Sequence, residues 1–148
     1  MLTLTRRIGE TIYIGGDTCV TVYDRLRYHV ILGVLTPAST CVRFGETCLR
    51  PAILPGGERF YLSTMLNQDV LWLDDIRVQV RFNPTYLSTA SLRTRQLTIS
   101  VHAPQTVHVD REEIHLRKLR AAGKRLPTMP FSAWLRQANL MVSRRAAA

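Results

Sequence analysis

The sequence predicts a mainly β fold that ends in a helical C-terminal part. Three observations predict it: short runs in which apolar and polar residues alternate, a similarity between the two halves of the chain, and a strong helix start near residue 110. The length of 148 residues and the 46% apolar composition are typical of a globular chain with a hydrophobic core.

Five short strands are predicted in the first repeat, which spans residues 1–50. Apolar and polar residues alternate in the first three strands, whereas the fourth is almost continuously apolar, as in a strand covered on both faces. Gly9 and the Gly15-Gly16 pair separate the early strands, where tight turns need positive φ. The predicted strands are residues 2–7, 11–14, 20–23, 29–35 and 39–43.

A linker is predicted over residues 51–58, because Pro51 and the Pro55-Gly56-Gly57 run interrupt regular structure. The pattern then repeats over residues 59–124. An offset of 58 places Leu4 on Leu62, Ile12 on Val70 and Val20 on Val78, and a later offset of 67 places Val30 on Leu97. The change of offset predicts an insertion at residues 83–94. A repeat of about 60 residues is marginal alone, so we expect the two to share one core.

A helix is predicted over residues 111–124. Asp110 is the expected N-cap, with Glu113 three residues later and Val109 and Ile114 at the positions of a hydrophobic staple. Residues 125–148 form a basic C-terminal extension with an amphipathic helix expected at about 131–142, whose apolar residues are Phe131, Trp134, Leu135, Ala138 and Val142. This helix either docks on its own domain or meets a partner or membrane surface.

The charge of the chain is concentrated at its C-terminal end. The formal net charge is +9, and residues 111–148 carry nine basic residues against two acidic ones, a net +7. Such a field attracts polyanions, among which nucleic acid is the commonest large one in cells, although a solvated basic tail is an equal interpretation. No apolar run approaches the roughly 18 to 20 residues of a membrane span, so we expect no membrane association and a cytoplasmic location.

The sequence offers little support for an enzyme, a metal site or a cofactor. His102, His108 and His115 do not have metal-ligand spacing, and neither a Ser, His and Asp set nor a Gly-rich phosphate loop is evident. The three cysteines, Cys19, Cys41 and Cys48, lack C-x-x-C spacing and are interpreted as reduced structural thiols. We therefore predict a protein that is not an enzyme and that needs no cofactor or metal.

Two segments carry a family resemblance. The opening MLTLTRRIGETIYIG and the later APQTVHVDREEIHLR resemble the carbon storage regulator family, CsrA/RsmA, of small bacterial RNA-binding regulators. The resemblance covers roughly residues 1–120. It implies that each repeat has five strands, that the repeats interleave as a single-chain pseudo-dimer, and that the protein binds single-stranded GGA in messenger leaders and antagonist small RNAs.

The resemblance also implies where RNA binds, because the family's sites lie where the first strand of one subunit borders the fifth strand of the other. The matching residues here are Leu4, Thr5, Arg6, Arg7, Ala103, Pro104, Val107, Val109 and Arg111. The other pairing fails: Thr64 and Met65 stand in place of the arginines, Phe44 in place of Arg111, and Gly45 in place of Glu112. We therefore predict one GGA site per chain.

Some features leave alternatives open. Arg6 could be a surface strand charge and Arg111 a first-turn helix residue. Asp110 and Gln105 replace the family's common His and Lys, which should weaken binding or change loop preference. We expect a translational repressor that occludes a ribosome-binding site, as a monomer or a strand-exchanged homodimer. The alternative is a protein-interaction module or decoy in which RNA binding is lost or secondary.

Overall fold

The computed structural model describes residues 1–83 and 96–124, and the mainly β fold is confirmed there. Twelve strands and one helix form in these residues, and the strands make two six-stranded antiparallel sheets. In the first half the strands are β1 (Leu2–Arg6), β2 (Thr11–Ile14), β3 (Thr18–Arg25), β4 (Val30–Thr36), β5 (Val42–Phe44), β6 (Thr47–Cys48) and β7 (Ala52–Ile53). In the second half they are β8 (Arg59–Met65), β9 (Val70–Leu73), β10 (Ile76–Arg81), β11 (Leu97–His102) and β12 (Val109–Arg111), followed by helix α1 (Glu112–Ala121).

Each sheet contains strands from both halves of the chain. The order in sheet A is β1-β11-β10-β9-β5-β6, and the order in sheet B is β12-β2-β3-β4-β8-β7. The first strand of each half therefore pairs with the fourth major strand of the other half: Leu4 lies opposite Ile99 in β11, and Ser63 of β8 lies opposite Leu32 in β4. Neither half forms a complete sheet without the other.

The core lies between the two sheets. The alternating strands turn one row of apolar side chains inward, as the period of two requires. The largest fully buried side chains come from both halves: Ile12, Ile14, Leu32, Met65, Leu71, Leu73, Leu97 and Ile99. Burial of each such side chain contributes about 1.5–3 kcal/mol, so the shared core makes folding of the two halves mutually dependent.

The strand registers correct the repeat alignment by one residue in two strands. Arg6 lies opposite Leu97, and Met65 lies opposite Val30 at the equivalent place, so Met65 and not Thr64 corresponds to Arg6. The offset is therefore 59 in β8 and β9 and returns to 58 in β10. The reason is turn length, since Gly15, Gly16 and Asp17 separate β2 from β3 but only two residues separate β9 from β10.

Hydrogen bonds at the first turn of each half support this corrected alignment. The Arg7 N–H donates to Glu10 Oε1 at 2.7 Å, and the Leu66 N–H donates to Asp69 Oδ2 at 2.8 Å. The residue before each carboxylate has positive φ: Gly9 at 86° and Gln68 at 72°. The two turns thus have the same construction, and Gln68 adopts the left-handed conformation that glycine adopts more cheaply.

Helix α1 begins one residue later than predicted and ends at Ala121, and the predicted Asp110 N-cap is wrong. Arg111 is the N-cap, with extended backbone and no side-chain capping hydrogen bond. Asp110 instead continues strand β12 opposite Tyr13. Glu112 and Glu113 in the first turn and Lys118 and Arg120 in the last turn match the helix dipole as expected.

Four further expectations differ from the structure or fall outside its described part. The predicted linker, residues 51–58, contains strand β7, and the fifth strand begins at Val42 and not at Ser39. Residues 84–94 of the predicted insertion and the amphipathic helix expected at about 131–142 lie outside the described residues. Over residues 1–83 and 96–124, the structure contains no helix long and apolar enough to cross a membrane.

Candidate nucleic-acid interface

The predicted site residues lie along two outermost strands, one in each sheet. Strand β1 ends sheet A, and strand β12 ends sheet B. Among the described residues, neither strand has a partner on its outer side, so backbone donors and acceptors there remain available to a ligand. Leu4, Thr5, Arg6 and Arg7 belong to the β1 end, and Ala103, Pro104, Val107, Val109 and Arg111 lie from the end of β11 to the end of β12.

The arginines at this site are not equally accessible. Arg7 and Arg111 are exposed, whereas Arg6 is only 4% exposed. Leu4 belongs to the buried core, and Val109 packs partly buried against the same core. The accessible cationic groups that the motif provides are therefore Arg7 and Arg111.

Arg6 joins the two halves of the site from inside. Its Nη1 lies 3.8 Å from Glu10 Oε2 and 3.8 Å from Glu113 Oε2, and its Nε donates to the Thr5 carbonyl at 2.6 Å. The contact with Glu113 connects β1 of sheet A to the first turn of α1, which follows directly from β12 of sheet B. Arg6 is thus placed to hold the two outer strands in a fixed relation.

A cleft of about 300 Å³ lies beside Arg6, between the β1–β2 turn and the start of α1. Its lining includes three carboxylates, those of Glu10, Glu112 and Glu113, against the one guanidinium of Arg6. The excess of negative charge disfavours phosphate inside the cleft. An RNA backbone is expected to follow the exposed side of the strands, where Arg7 and Arg111 lie.

Lys118 neutralises the unusual Asp110. The Lys118 Nζ donates to both carboxylate oxygens of Asp110, at 3.0 and 2.9 Å. The repulsion that an unpaired Asp110 would exert on a phosphate is reduced accordingly. Sequence reasoning missed this pair because the two residues are eight positions apart and belong to different elements.

Helix α1 docks on sheet B through an aromatic stack. The rings of Tyr13 and His115 are parallel within 9°, with centroids 3.9 Å apart. Desolvation lowers the pKa of His115, and the nearby Lys118 lowers it further while Asp110 opposes the change. Burial, with the charges of Cys19 and Glu112, raises the pKa of Tyr13 well above its usual value. Both rings are therefore uncharged at neutral pH, which suits a stacked contact.

The loop between β11 and β12 is held against the edge of sheet B. The Val107 N–H donates to the Pro104 carbonyl at 2.9 Å, closing a turn, and the Gly15 N–H donates to the His108 carbonyl at 2.8 Å. Ala103 and Val107 pack partly buried against the core, and Pro104 is exposed in the turn. The loop therefore presents a defined backbone surface between the two outer strands.

The equivalent strands elsewhere in the molecule, β8 and β5, are chemically and sterically different. By register Met65 and Leu66 replace Arg6 and Arg7, and Phe44 replaces Arg111. The sequence alignment thus matched Phe44 to Arg111 correctly. It matched Arg6 and Arg7 to Thr64 and Met65, which are each one residue before the true equivalents. Met65 is fully buried, and Phe44 packs partly buried against the core.

The outer side of β5 and the first two residues of β8 are also paired with other segments of the chain. Strand β7 pairs with β8, where Ala52 lies opposite Phe60, and strand β6 pairs with β5, where Thr47 lies opposite Phe44. Strand β6 lies at the end of the first repeat, and strand β7 lies in the predicted linker. Sequence reasoning missed them because strands of two residues leave no periodic signal.

No group of three or more potential metal ligands from His, Cys, Asp or Glu converges within residues 1–83 and 96–124.

Residues 1–48 match the family described as CsrA, the global regulator protein family. The matched segment ends at the last residue of β6 and includes β1, with Leu4 and Arg6, and Arg7 directly after it. No solved structure matches the chain.

Proposed function

The first 48 residues of the chain are CsrA-like, and from this premise we propose that the protein is an RNA-binding, post-transcriptional regulator. Its ligand is single-stranded RNA containing GGA, in messenger leaders or in antagonist small RNAs. Binding over a ribosome-binding site would repress translation. The family match is the observation that supports RNA as the partner, and the two outer strands β1 and β12 support the position of the site.

Arginine and backbone chemistry suit this ligand. The Arg7 and Arg111 guanidiniums can pair with phosphates or stack on unpaired bases. The backbone groups at Ala103 and Pro104 and along β1 can hydrogen-bond base edges that are exposed only in single strands. Leu4 and Val109 provide the apolar surface beneath these backbone groups.

The asymmetry between the two pairs of strands supports one RNA site per chain. Arg7 and Arg111 flank two outer strands that are open among the described residues, whereas Leu66 and Phe44 flank strands paired with β7 and β6. An RNA at the second position would meet no equivalent of the arginines, and β6 covers the outer side of β5 there. We further propose that the chain is a fused pseudo-dimer and is monomeric in solution, a point that light scattering coupled to size exclusion tests directly.

Calorimetric titration of the full chain with an RNA hairpin presenting GGA in its loop tests the proposal. A matched hairpin with CCU in the loop is the control. We expect one RNA per chain and no binding of the control. Two RNAs per chain would contradict the single site, and equal binding of both hairpins would contradict GGA recognition.

A second candidate function rests on exposed apolar residues near β7 and β8. Ile53 is 69% exposed, and Leu62 and Leu66 are each 50% exposed. These residues favour a protein-interaction module in which RNA binding is secondary. Salt dependence distinguishes the two functions, because affinity for RNA falls steeply as salt rises whereas apolar association with a protein does not.

A further inference from the structure

Two exposed cysteines meet on the β5–β6 hairpin. The sulfur atoms of Cys41 and Cys48 lie 3.6 Å apart, and both side chains are free thiols on the surface. Cys48 lies opposite Arg43 in the ladder, and Cys41 is two residues before Arg43. The two thiols therefore belong to the same face of the hairpin.

The two cysteines differ in how firmly their backbones are held. The Cys41 N–H donates to Asp74 Oδ1 and the Asp74 N–H donates to the Cys41 carbonyl, both at 2.9 Å, so Cys41 is tied to the β9–β10 turn. Cys48 lies on β6, a strand of two residues at the outer edge of sheet A. A small movement of β6 would bring the sulfurs from their present separation to the bonded distance of about 2.05 Å.

We propose that Cys41 and Cys48 form an intrachain disulfide when the protein meets a peroxide oxidant. One thiolate attacks a peroxide oxygen, which gives a sulfenic acid and, after protonation, one water. The second thiolate attacks the sulfenic sulfur, forms the S–S bond and releases hydroxide, which is protonated to a second water. Two thiols and one hydrogen peroxide thus give one disulfide and two waters.

The disulfide fixes strand β6 on the outer side of β5. In the reduced protein this strand is held by its short ladder with β5 and by the Leu49 N–H, which donates to the Val42 carbonyl at 2.9 Å. A covalent bond between Cys41 and Cys48 prevents this hairpin from opening. The reaction of the two thiols does not depend on RNA binding.

Cys19 provides an internal contrast. It is buried in sheet B, where burial raises the pKa of its thiol to about 12, so it is expected to be inert. The pKa of Cys41 is also raised, mainly by its hydrogen bond with Cys48, with a contribution from Asp74. Oxidation of the pair is therefore expected to accelerate as pH rises, because the thiolate is the attacking species.

Mass spectrometry of the full chain after peroxide treatment tests the proposal. Trypsin cleaves after Arg43 and so separates the two cysteines into peptides 28–43 and 44–59, while Cys19 falls in peptide 8–25. We expect the intact mass to fall by about 2 Da, the mass of the two hydrogens lost, and peptides 28–43 and 44–59 to be linked until a reductant is added. Amide exchange at Leu49 should slow in the oxidised protein.

Two variants complete the test. Cys19→Ser should leave the linked peptides unchanged, and Cys48→Ser should abolish both the loss of mass and the slower exchange at Leu49. The proposal is overturned if peptides 28–43 and 44–59 stay unlinked after oxidation. It is equally overturned if the linkage involves peptide 8–25 or joins two chains.

Discussion

Met65 occupies in sheet B the position that Arg6 occupies in sheet A. Arg6 lies opposite Leu97 and Met65 lies opposite Val30, and the two residues are 4% and 0% exposed. The same buried position thus accepts an unbranched apolar side chain or a guanidinium that faces two carboxylates. What the guanidinium adds is the ion pair with Glu113, which ties β1 to the first turn of α1.

This relationship predicts the effect of Arg6→Met. Methionine already fills the equivalent position, so we expect the free energy of unfolding to change by less than about 1.5 kcal/mol. RNA affinity should fall less than in Arg111→Ala, because the Arg6 guanidinium is buried between Glu10 and Glu113. Urea denaturation and calorimetry measure the two quantities.

Arg7→Met is the matched control for this experiment. Arg7 follows Arg6 directly and carries the same charge, but its side chain is exposed, so its replacement should change stability by no more than about 0.5 kcal/mol. RNA affinity should fall further in Arg7→Met than in Arg6→Met, because only the exposed guanidinium can reach a phosphate. If Arg6→Met weakens RNA binding more than Arg7→Met while the protein remains folded, the expectation that Arg7 and not Arg6 meets the phosphate is wrong.

Arg111→Ala should weaken RNA binding by about 1–3 kcal/mol, roughly 5- to 150-fold in affinity, because the exposed guanidinium is expected to contact a base or phosphate. Arg111 is the N-cap of α1 but makes no side-chain capping hydrogen bond, so the helix should persist. Calorimetry with the GGA hairpin measures the affinity, and circular dichroism checks the helix.

Arg50→Ala is the control for Arg111→Ala. It removes the same charge from an exposed position beyond β6 and should change RNA affinity much less. Equal losses of affinity in the two variants would contradict the proposed site, because they would indicate that only the overall charge of the protein matters.

Much of the fold could be predicted from alternation and turn residues, but the phase of two strands could not. Strand β9 reads Val-Leu-Trp-Leu, so apolar residues lie on both of its faces and an offset of 58 or 59 fits equally well. Only the ladder shows that Leu71 and Leu73 point inward, each at most 1% exposed, while Val70 and Trp72 are half-buried on the other face. A turn shorter by one residue reverses which face of the strand points inward, but a strand that is apolar on both faces does not reveal the reversal in its sequence.

The residues of the candidate site could be predicted from the sequence, but their burial and their side-chain partners could not. The motif identified Arg7 and Arg111 beside outer strands, but the sequence carries no signal that Arg6 turns inward to Glu10 and Glu113. The N-cap prediction failed because the backbone of Asp110 is held in the ladder with β2. Long-range pairing decided each of these outcomes, and local sequence does not encode it.

The stability of the protein should depend on His115 below neutral pH. Its pKa is lowered in the folded state, so the unfolded chain binds the proton more readily. The stability that neutral His115 contributes is fully present above its pKa of about 6.5 in the unfolded chain. It is lost as pH falls through the lower pKa of His115 in the folded protein.

The variant that tests this role is His115→Phe, which keeps a ring on Tyr13 but cannot titrate. Below about pH 6.5 the free energy of unfolding should fall more in the parent protein than in His115→Phe. Urea denaturation at a series of pH values measures this difference. A difference that is constant between pH 8 and 5, a range of about three units around the unperturbed pKa, would contradict the role of His115.

Gln68→Gly should stabilise the protein. Gln68 has a φ of 72°, where a side chain costs about 1–2 kcal/mol, and the equivalent turn uses Gly9 at 86°. The greater freedom of glycine in the unfolded chain offsets about 0.5–1 kcal/mol of this, so a net gain of up to about 1 kcal/mol is expected in urea denaturation. The hydrogen bond from Gln79 Nε2 ends on the backbone carbonyl of residue 68 and survives the change.

Gly9→Gln is the reciprocal control for Gln68→Gly. It should destabilise the protein, because it introduces at position 9 the backbone strain that Gln68 already carries. Loss of stability in both variants would show that the Gln68 side chain contributes more to the folded state than its backbone strain costs.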